Sequence, residues 1–250
     1  MEKIDYIALS TQAIPKAKES TASSLGSRQR DICEVALVYV MVLLVFWTQH
    51  PLQELIWAVT AAAIAVLVFR SSRGFKAIGL RLGNLFCWLW AIAAAGSIAG
   101  LAVGAAVVLH TLHLPDSPGS IFRNSLDYVI WAAIQQFVLQ CFFLARLLRV
   151  LGHAAWAATA AAVLFAVAHL PSPLLMVITL ICGLASCLFF VRYRSLYPLV
   201  IAHAILGLAI AFTIPGPIDR DMRVGLAYVT WADESAHLTA PPGKIVLAQP

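Results

Sequence analysis

Apolar residues along the chain fall into seven long runs separated by short polar breaks. The runs lie at roughly 33–49, 52–69, 84–109, 127–148, 154–170, 173–191 and 196–214. Most reach the ~17–25 residues that a helix needs to cross a bilayer. In lipid the backbone must satisfy its own hydrogen bonds, so each run predicts a helix. The expected fold is all-α, a polytopic transmembrane helix bundle of about seven spans. Residues 1–32 form a polar N-terminal tail, 33–214 the transmembrane helical domain, and 215–250 a polar C-terminal tail outside the membrane core. The first run follows a tail rich in Ser, Thr and Lys and reads as an uncleaved anchor.

Composition agrees with a lipid environment. The chain is 61% hydrophobic and 12% charged, with a mean hydropathy of +0.86. A soluble domain is about 45–50% apolar and about 25% charged. The net charge of +5 sits in short clusters between the apolar runs, a membrane pattern and not a nucleic-acid footprint. Arg70, Arg73, Lys76 and Arg81 follow the second run, Arg146 and Arg149 the fourth, and Arg192 and Arg194 the sixth. The intervening connections carry almost no positive charge. This alternation predicts a cytoplasmic N-terminus. Residues 74–84, with apolar and basic positions interleaved, read as a short interfacial stretch or a plain basic loop. The five cysteines lie in or beside apolar runs and form no CxxC pair, so small buried side chains are expected.

Polar residues in mid-membrane are costly and usually face the bundle interior. The fourth run holds Gln135, Gln136 and Gln140. Gln136 and Gln140 are four apart and share a helix face, while Gln135 points about 100° away. Interhelical amide bridging would account for such residues. Three in so short a stretch exceed what bridging needs. The fifth run ends at Phe165 and His169, and the seventh carries His203 about eight residues in. A buried neutral imidazole needs a partner, and the glutamine cluster can supply one. Each feature alone has a structural explanation. Together, on three helices, they can meet at one point. His110 and His113 have HxxH spacing without a third ligand nearby, which favours a solvated face. His153 and His169 stand about 24 Å apart along one helix and cannot share an ion. No metal or other cofactor is expected.

The order, spacing and flanks of these residues resemble the CPBP family, the CAAX prenyl endopeptidases and the related bacterial proteins linked to bacteriocin processing and immunity. That family carries EExxxR, then FxxxH, then a later His with a polar residue four positions on. Here Gln135-Gln136-Phe-Val-Leu-Gln140 stands where EExxxR would, Phe165 and His169 match FxxxH, and Ser195 to His203 match the last motif with its Tyr-Pro flank. The resemblance covers roughly residues 75–214. It implies an intramembrane peptidase in which Gln135, Gln136, His169 and His203 occupy the catalytic positions and Gln140, Phe165 and Gly207 support them. Its substrate would be a membrane-anchored peptide or lipidated protein, and with the compact seven-span design the resemblance implies a bacterial inner (plasma) membrane.

The chain departs from this pattern where it matters most. Both glutamates are glutamines, the arginine is Gln140, and Gly207 replaces the polar residue after the last histidine. A carboxamide is no base near neutral pH. Loss of a general base commonly costs about 10²–10⁴ in rate. Removing both acids together with the arginine leaves a site that is electrostatically consistent and neutral. Of the remaining acids Glu54, at the start of the second run and so at its outer end, is the one considered as a substitute; Asp127 and Glu34 lie near other helix ends. Three functions stay open at this point: a peptidase relying on its histidines, a catalytically silent binding or immunity protein, and a non-proteolytic enzyme acting on an isoprenoid or other lipid. A transporter lacks support, since no internal repeat or paired broken helices are present.

Overall fold

The structure is a computed structural model, and it describes residues 21–71, 79, 80, 82, 85–115 and 117–239. The stretch expected at 74–84 lies outside the described residues apart from Gly79, Leu80 and Leu82. Every regular element among the described residues is helical: α1 Thr21–Trp47, α2 Leu52–Ser71, α3 Leu85–Leu109, α4 Pro118–Phe137, a π-helical segment Val138–Leu144, α5 Ala145–Leu151, α6 Ala154–Val167, α7 Pro173–Tyr193, α8 Tyr197–Thr213, α9 Gly216–Asp219 and α10 Gly225–Thr239.

Four continuous helices among the described residues are long and apolar enough to cross a bilayer: Leu52–Ser71, Leu85–Leu109, Pro118–Leu151 and Pro173–Tyr193. Ala154–Val167 and Tyr197–Thr213 are apolar but shorter. The lipid-facing character is plainest on α3, where Leu85, Phe86, Leu101 and Val108 all stand open and only Cys87, Ala95 and Ala106 are buried. A helix with that much open apolar surface is stable in a hydrocarbon solvent and a liability in water. The fold is therefore that of an integral membrane protein.

Local chemistry fixes the helix ends. Ser117 caps α4 by accepting from the Ser120 N–H, Ser120 bonds back to Ser117, and Pro118 follows at the first helical position. On α7 Ser172 caps by accepting from the Leu175 N–H, and Pro173 follows, without the reciprocal bond. α5 stops at Gly152, which takes the left-handed conformation that ends a helix cheaply.

The helices meet on a core of Leu139, Phe142, Leu144, Val38, Val68 and Phe190. α6 packs along α7 through its alanines, with Ala157, Ala158, Ala161 and Ala162 fully buried. Small residues allow that close approach. Gly183 on α7 completes it, because a side chain there would press on the Phe165 ring at 3.1 Å. α8 packs against α3 and α4.

The structure corrects one expectation about the charges. Arg146 and Arg149 are not in a loop but on α5, and they clamp it to α1. Arg146 is wholly buried, donates to Glu34 Oε2 at 2.8 Å and to Leu67 O at 3.2 Å, and lies over the Phe142 ring. Arg149 grips Asp31 through two bonds of 2.7 Å. That guanidinium holds the Asp31 carboxyl below the ordinary aspartate range. The tail expected beyond residue 214 also builds structure. The Gly225 N–H donates to Leu170 O at 2.7 Å, and α10 packs on α1. Gly225 has positive φ, and a Cβ there would overlap Phe46 O, so only glycine passes this crossing without strain.

Candidate functional site

The site begins with how α6 ends. The last carbonyls of a helix lack backbone partners. Here the His169 N–H turns to Ala166 O, and the Leu170 N–H to Val167 O. Phe165 O is then met by the side chain of His169, whose Nδ1 lies 2.7 Å away. A carbonyl only accepts, so Nδ1 carries the proton and Nε2 keeps its lone pair. This is the physical content of the Phe-x-x-x-His spacing: the residue four positions on caps the carbonyl and in doing so fixes its own tautomer. The Phe165 ring stands edge-on between the imidazoles, 4.9 Å from His169 and 6.2 Å from His203 between centroids.

A chain of amides fixes the second histidine. Ser186 on α7 lies 2.9 Å from Gly183 O and commits its proton there. Its lone pair therefore takes an N–H of Gln140, at 3.1 Å. The same Gln140 nitrogen donates to Gln136 Oε1 at 3.1 Å. That leaves Gln136 Nε2 facing His203 Nδ1 at 3.1 Å. An amide nitrogen only donates, so His203 Nδ1 accepts and the His203 proton sits on Nε2. The two imidazoles thus present opposite faces to their surroundings, a lone pair on His169 and an N–H on His203.

The glutamines share a face as their spacing predicts, although the backbone becomes π-helical from Val138 and shifts the phase of the residues beyond it. Gln136 is 4% exposed and Gln140 fully buried. Gln140 Oε1 has no partner among the described residues. Such π segments often mark functional positions.

These groups line a cavity of about 600 Å³ bounded by α3, α4, α7 and α8, with Tyr128, Gln135, Gln136, His169, His203 and Gly207 on its wall. A second cavity of about 520 Å³ lies between α1, α2 and α4 and is walled almost wholly by apolar side chains such as Tyr39, Trp57 and Phe143. Gln135 and His169 border both. Gln135, turned away from the Gln136 face, thus shares the junction of the two cavities with His169.

Glu54 is not brought to this site. Its side chain is 75% exposed and pairs with His50 at 3.3 Å. Glu34 is taken by Arg146, and Asp127 is exposed. Among the described residues no carboxylate hydrogen-bonds either imidazole, and no three of His, Cys, Asp and Glu cluster as metal ligands. His110 is exposed, and His113 bonds locally to Thr111 O.

Three residues of the site were not singled out in the sequence. Tyr128 and Ser186 look there like ordinary members of apolar runs. Asp221 belongs to the segment expected to lie outside the core, yet it borders the cavity and accepts from Trp231 Nε1 at 2.7 Å. Its neighbour Asp219 is buried, and that burial pushes its carboxyl above the ordinary range.

The fold is thus a helical membrane bundle with two imidazoles and two amides lining one cavity. The family model for type II CAAX prenyl endopeptidase, Rce1-like, matches residues 118–209. That segment runs from the start of α4 into α8 and holds every glutamine and both histidines of the site. It is a little over a third of the chain, and it is similar to the family that the motifs pointed to. No curated protein and no solved structure matches the chain.

Proposed function

We propose that this protein is an intramembrane peptide hydrolase that works without a carboxylate. His169 is the base, His203 is a donor to the carbonyl oxygen, and Gln135 orients the attacking water. The observation that carries this reading is the opposite tautomers of the two imidazoles. The His169 Nε2 lone pair takes a proton from water as its oxygen bonds to the scissile carbonyl carbon. The His203 Nε2–H meets the oxygen that gains negative charge. The same proton then passes from His169 to the leaving nitrogen as the C–N bond breaks. Fixed donors at a developing oxyanion are worth about 10²–10³ each in rate. A histidine base contributes about 10²–10⁴.

The substrate is a membrane-anchored or lipidated peptide. The similarity of residues 118–209 to a prenyl endopeptidase family and the apolar cavity against His169 both favour a chain with a lipid anchor. The test is an S-farnesylated pentapeptide offered to the purified protein in phosphatidylcholine vesicles. Release of the terminal fragment by the wild-type protein and not by His169→Ala supports the reading. Equal release by both contradicts it.

A second reading, a silent member that binds such a peptide without cleaving it, is favoured by Gln136, which holds His203 through a group that cannot take a proton. Gln135→Glu with Gln136→Glu separates the two. In the hydrolase the acid at 136 draws the His203 proton from Nε2 to Nδ1 and so lowers the rate by loss of the carbonyl donor, whereas in a silent binder the acids leave the biological role unchanged.

A further inference from the structure

We propose that Tyr128 is a ligand-contacting residue of this site, its phenol supplying the second hydrogen bond to the carbonyl oxygen beside His203. This rests on the reading above that a peptide carbonyl enters the cavity.

The case starts from Gly207. It lies one turn after His203 on α8, so the two share a helix face. A Cβ built at 207 would overlap the Tyr128 hydroxyl oxygen and the ring carbons behind it. The phenol from α4 therefore stands in the space that a side chain at 207 would otherwise take. Tyr128 and any residue larger than glycine at 207 exclude one another. This is the position where the sequence loses the polar side chain that its motif leads one to expect. The polar atom is still there, delivered from the neighbouring helix.

The hydroxyl is also available. Among the described residues it has no hydrogen-bond partner. Tyr128 is half-buried on the cavity wall, where a phenol usually finds a hydrogen-bond partner. Its ring stands 6.4 Å from that of His203 at 66°, and both residues face the same cavity of about 600 Å³. Seven residues along α4, close to two turns, lies Gln135, so the phenol and that amide project from one side of the helix. A carbonyl oxygen held between Tyr128 Oη–H and His203 Nε2–H leaves its carbon open toward the His169 lone pair. Tyr128 thus selects for ligands with a carbonyl at this depth, and it strengthens its bond as charge builds on the oxygen.

The probe is the farnesylated pentapeptide with ¹³C at its scissile carbonyl, bound to vesicles carrying the His169→Ala protein. Infrared spectroscopy reads the labelled carbonyl. Adding Tyr128→Phe keeps the ring and its packing but removes one donor, and the labelled band should move to higher frequency. In the otherwise wild-type protein Tyr128→Phe should lower kcat by about 10²–10³, with little change in KM. An unmoved band, or no retention of the probe by the His169→Ala protein, overturns the proposal. A band that shifts while the wild-type protein cleaves nothing supports the role of Tyr128 and refutes only the hydrolase reading. Cleavage with an unmoved band does the reverse.

Discussion

Replacing Gly207 by alanine is a sensitive test of the site's packing. In an open helix the change favours the folded state by about 1 kcal/mol, because glycine is the poorer helix former. Here the new Cβ falls on the phenol of Tyr128, with both its oxygen and its ring carbons in the way. Overpacking of that kind typically costs about 1–3 kcal/mol. Gly207→Ala should therefore destabilise the wild-type protein. In a Tyr128→Ala background the obstruction is gone, and the same change should stabilise by about 1 kcal/mol. The propensity gain is common to both backgrounds, so the coupling between the positions is the overpacking cost, about 1–3 kcal/mol, within the range of contacting residues. Tyr128→Phe should not relieve the clash, since the ring carbons remain. The assay is a double-mutant cycle of unfolding free energies in detergent micelles. A Gly207→Ala protein that is more stable than wild type, or equally affected in both backgrounds, refutes the packing on which the role of Tyr128 depends.

Three other outcomes are expected from the same structure. Gln136→Glu places an acceptor against His203 Nδ1 in place of a donor, so the His203 proton should move from Nε2 to Nδ1; ¹⁵N NMR of histidine-labelled protein reads this, and an unchanged tautomer contradicts the amide order. Glu34→Ala strands the buried Arg146 guanidinium and should cost about 3–5 kcal/mol of unfolding free energy in micelles, whereas a loss below about 1 kcal/mol, the size of a surface pair, would place Arg146 in contact with water. The Asp31 carboxyl titrates below its ordinary value of 3.8 because Arg149 stabilises the charged form, so the clamp's stability is complete above that value and is lost as pH falls through the lower folded-state value. Asp31→Asn should flatten this acid limb in a melting-temperature profile, and an unaltered limb would assign acid sensitivity elsewhere.

Much of the helix layout was legible because run length and apolarity report directly on a lipid-embedded helix. The runs at 52–69, 84–109 and 173–191 end within a residue or two of α2, α3 and α7. The pairing of His203 with the glutamines was legible for a different reason: a polar group at that depth has few partners to choose from, and Gln136 is one of them. The features that escaped depended on three-dimensional packing. Arg146 counts as a loop charge until Glu34 on another helix is seen to face it. Glu54 looks like a spare carboxylate until its outward direction and its bond to His50 are known. The π segment has no period of its own in the sequence, and Gly207 reads as a lost side chain until Tyr128 fills the space. Asp221 was missed because polarity alone cannot tell a tail from a segment that folds back over a cavity.

The central claim is that His169 and His203 do chemistry on a peptide. The most direct measurement compares the termini of membrane proteins, by mass spectrometry, in cells making the wild-type protein and in cells making the His169→Ala/His203→Ala variant at matched abundance. The expected result is at least one new terminus that requires the histidines, located beside a membrane anchor or lipid attachment site. Identical termini in the two cell populations would contradict the claim and leave the silent binder as the better description.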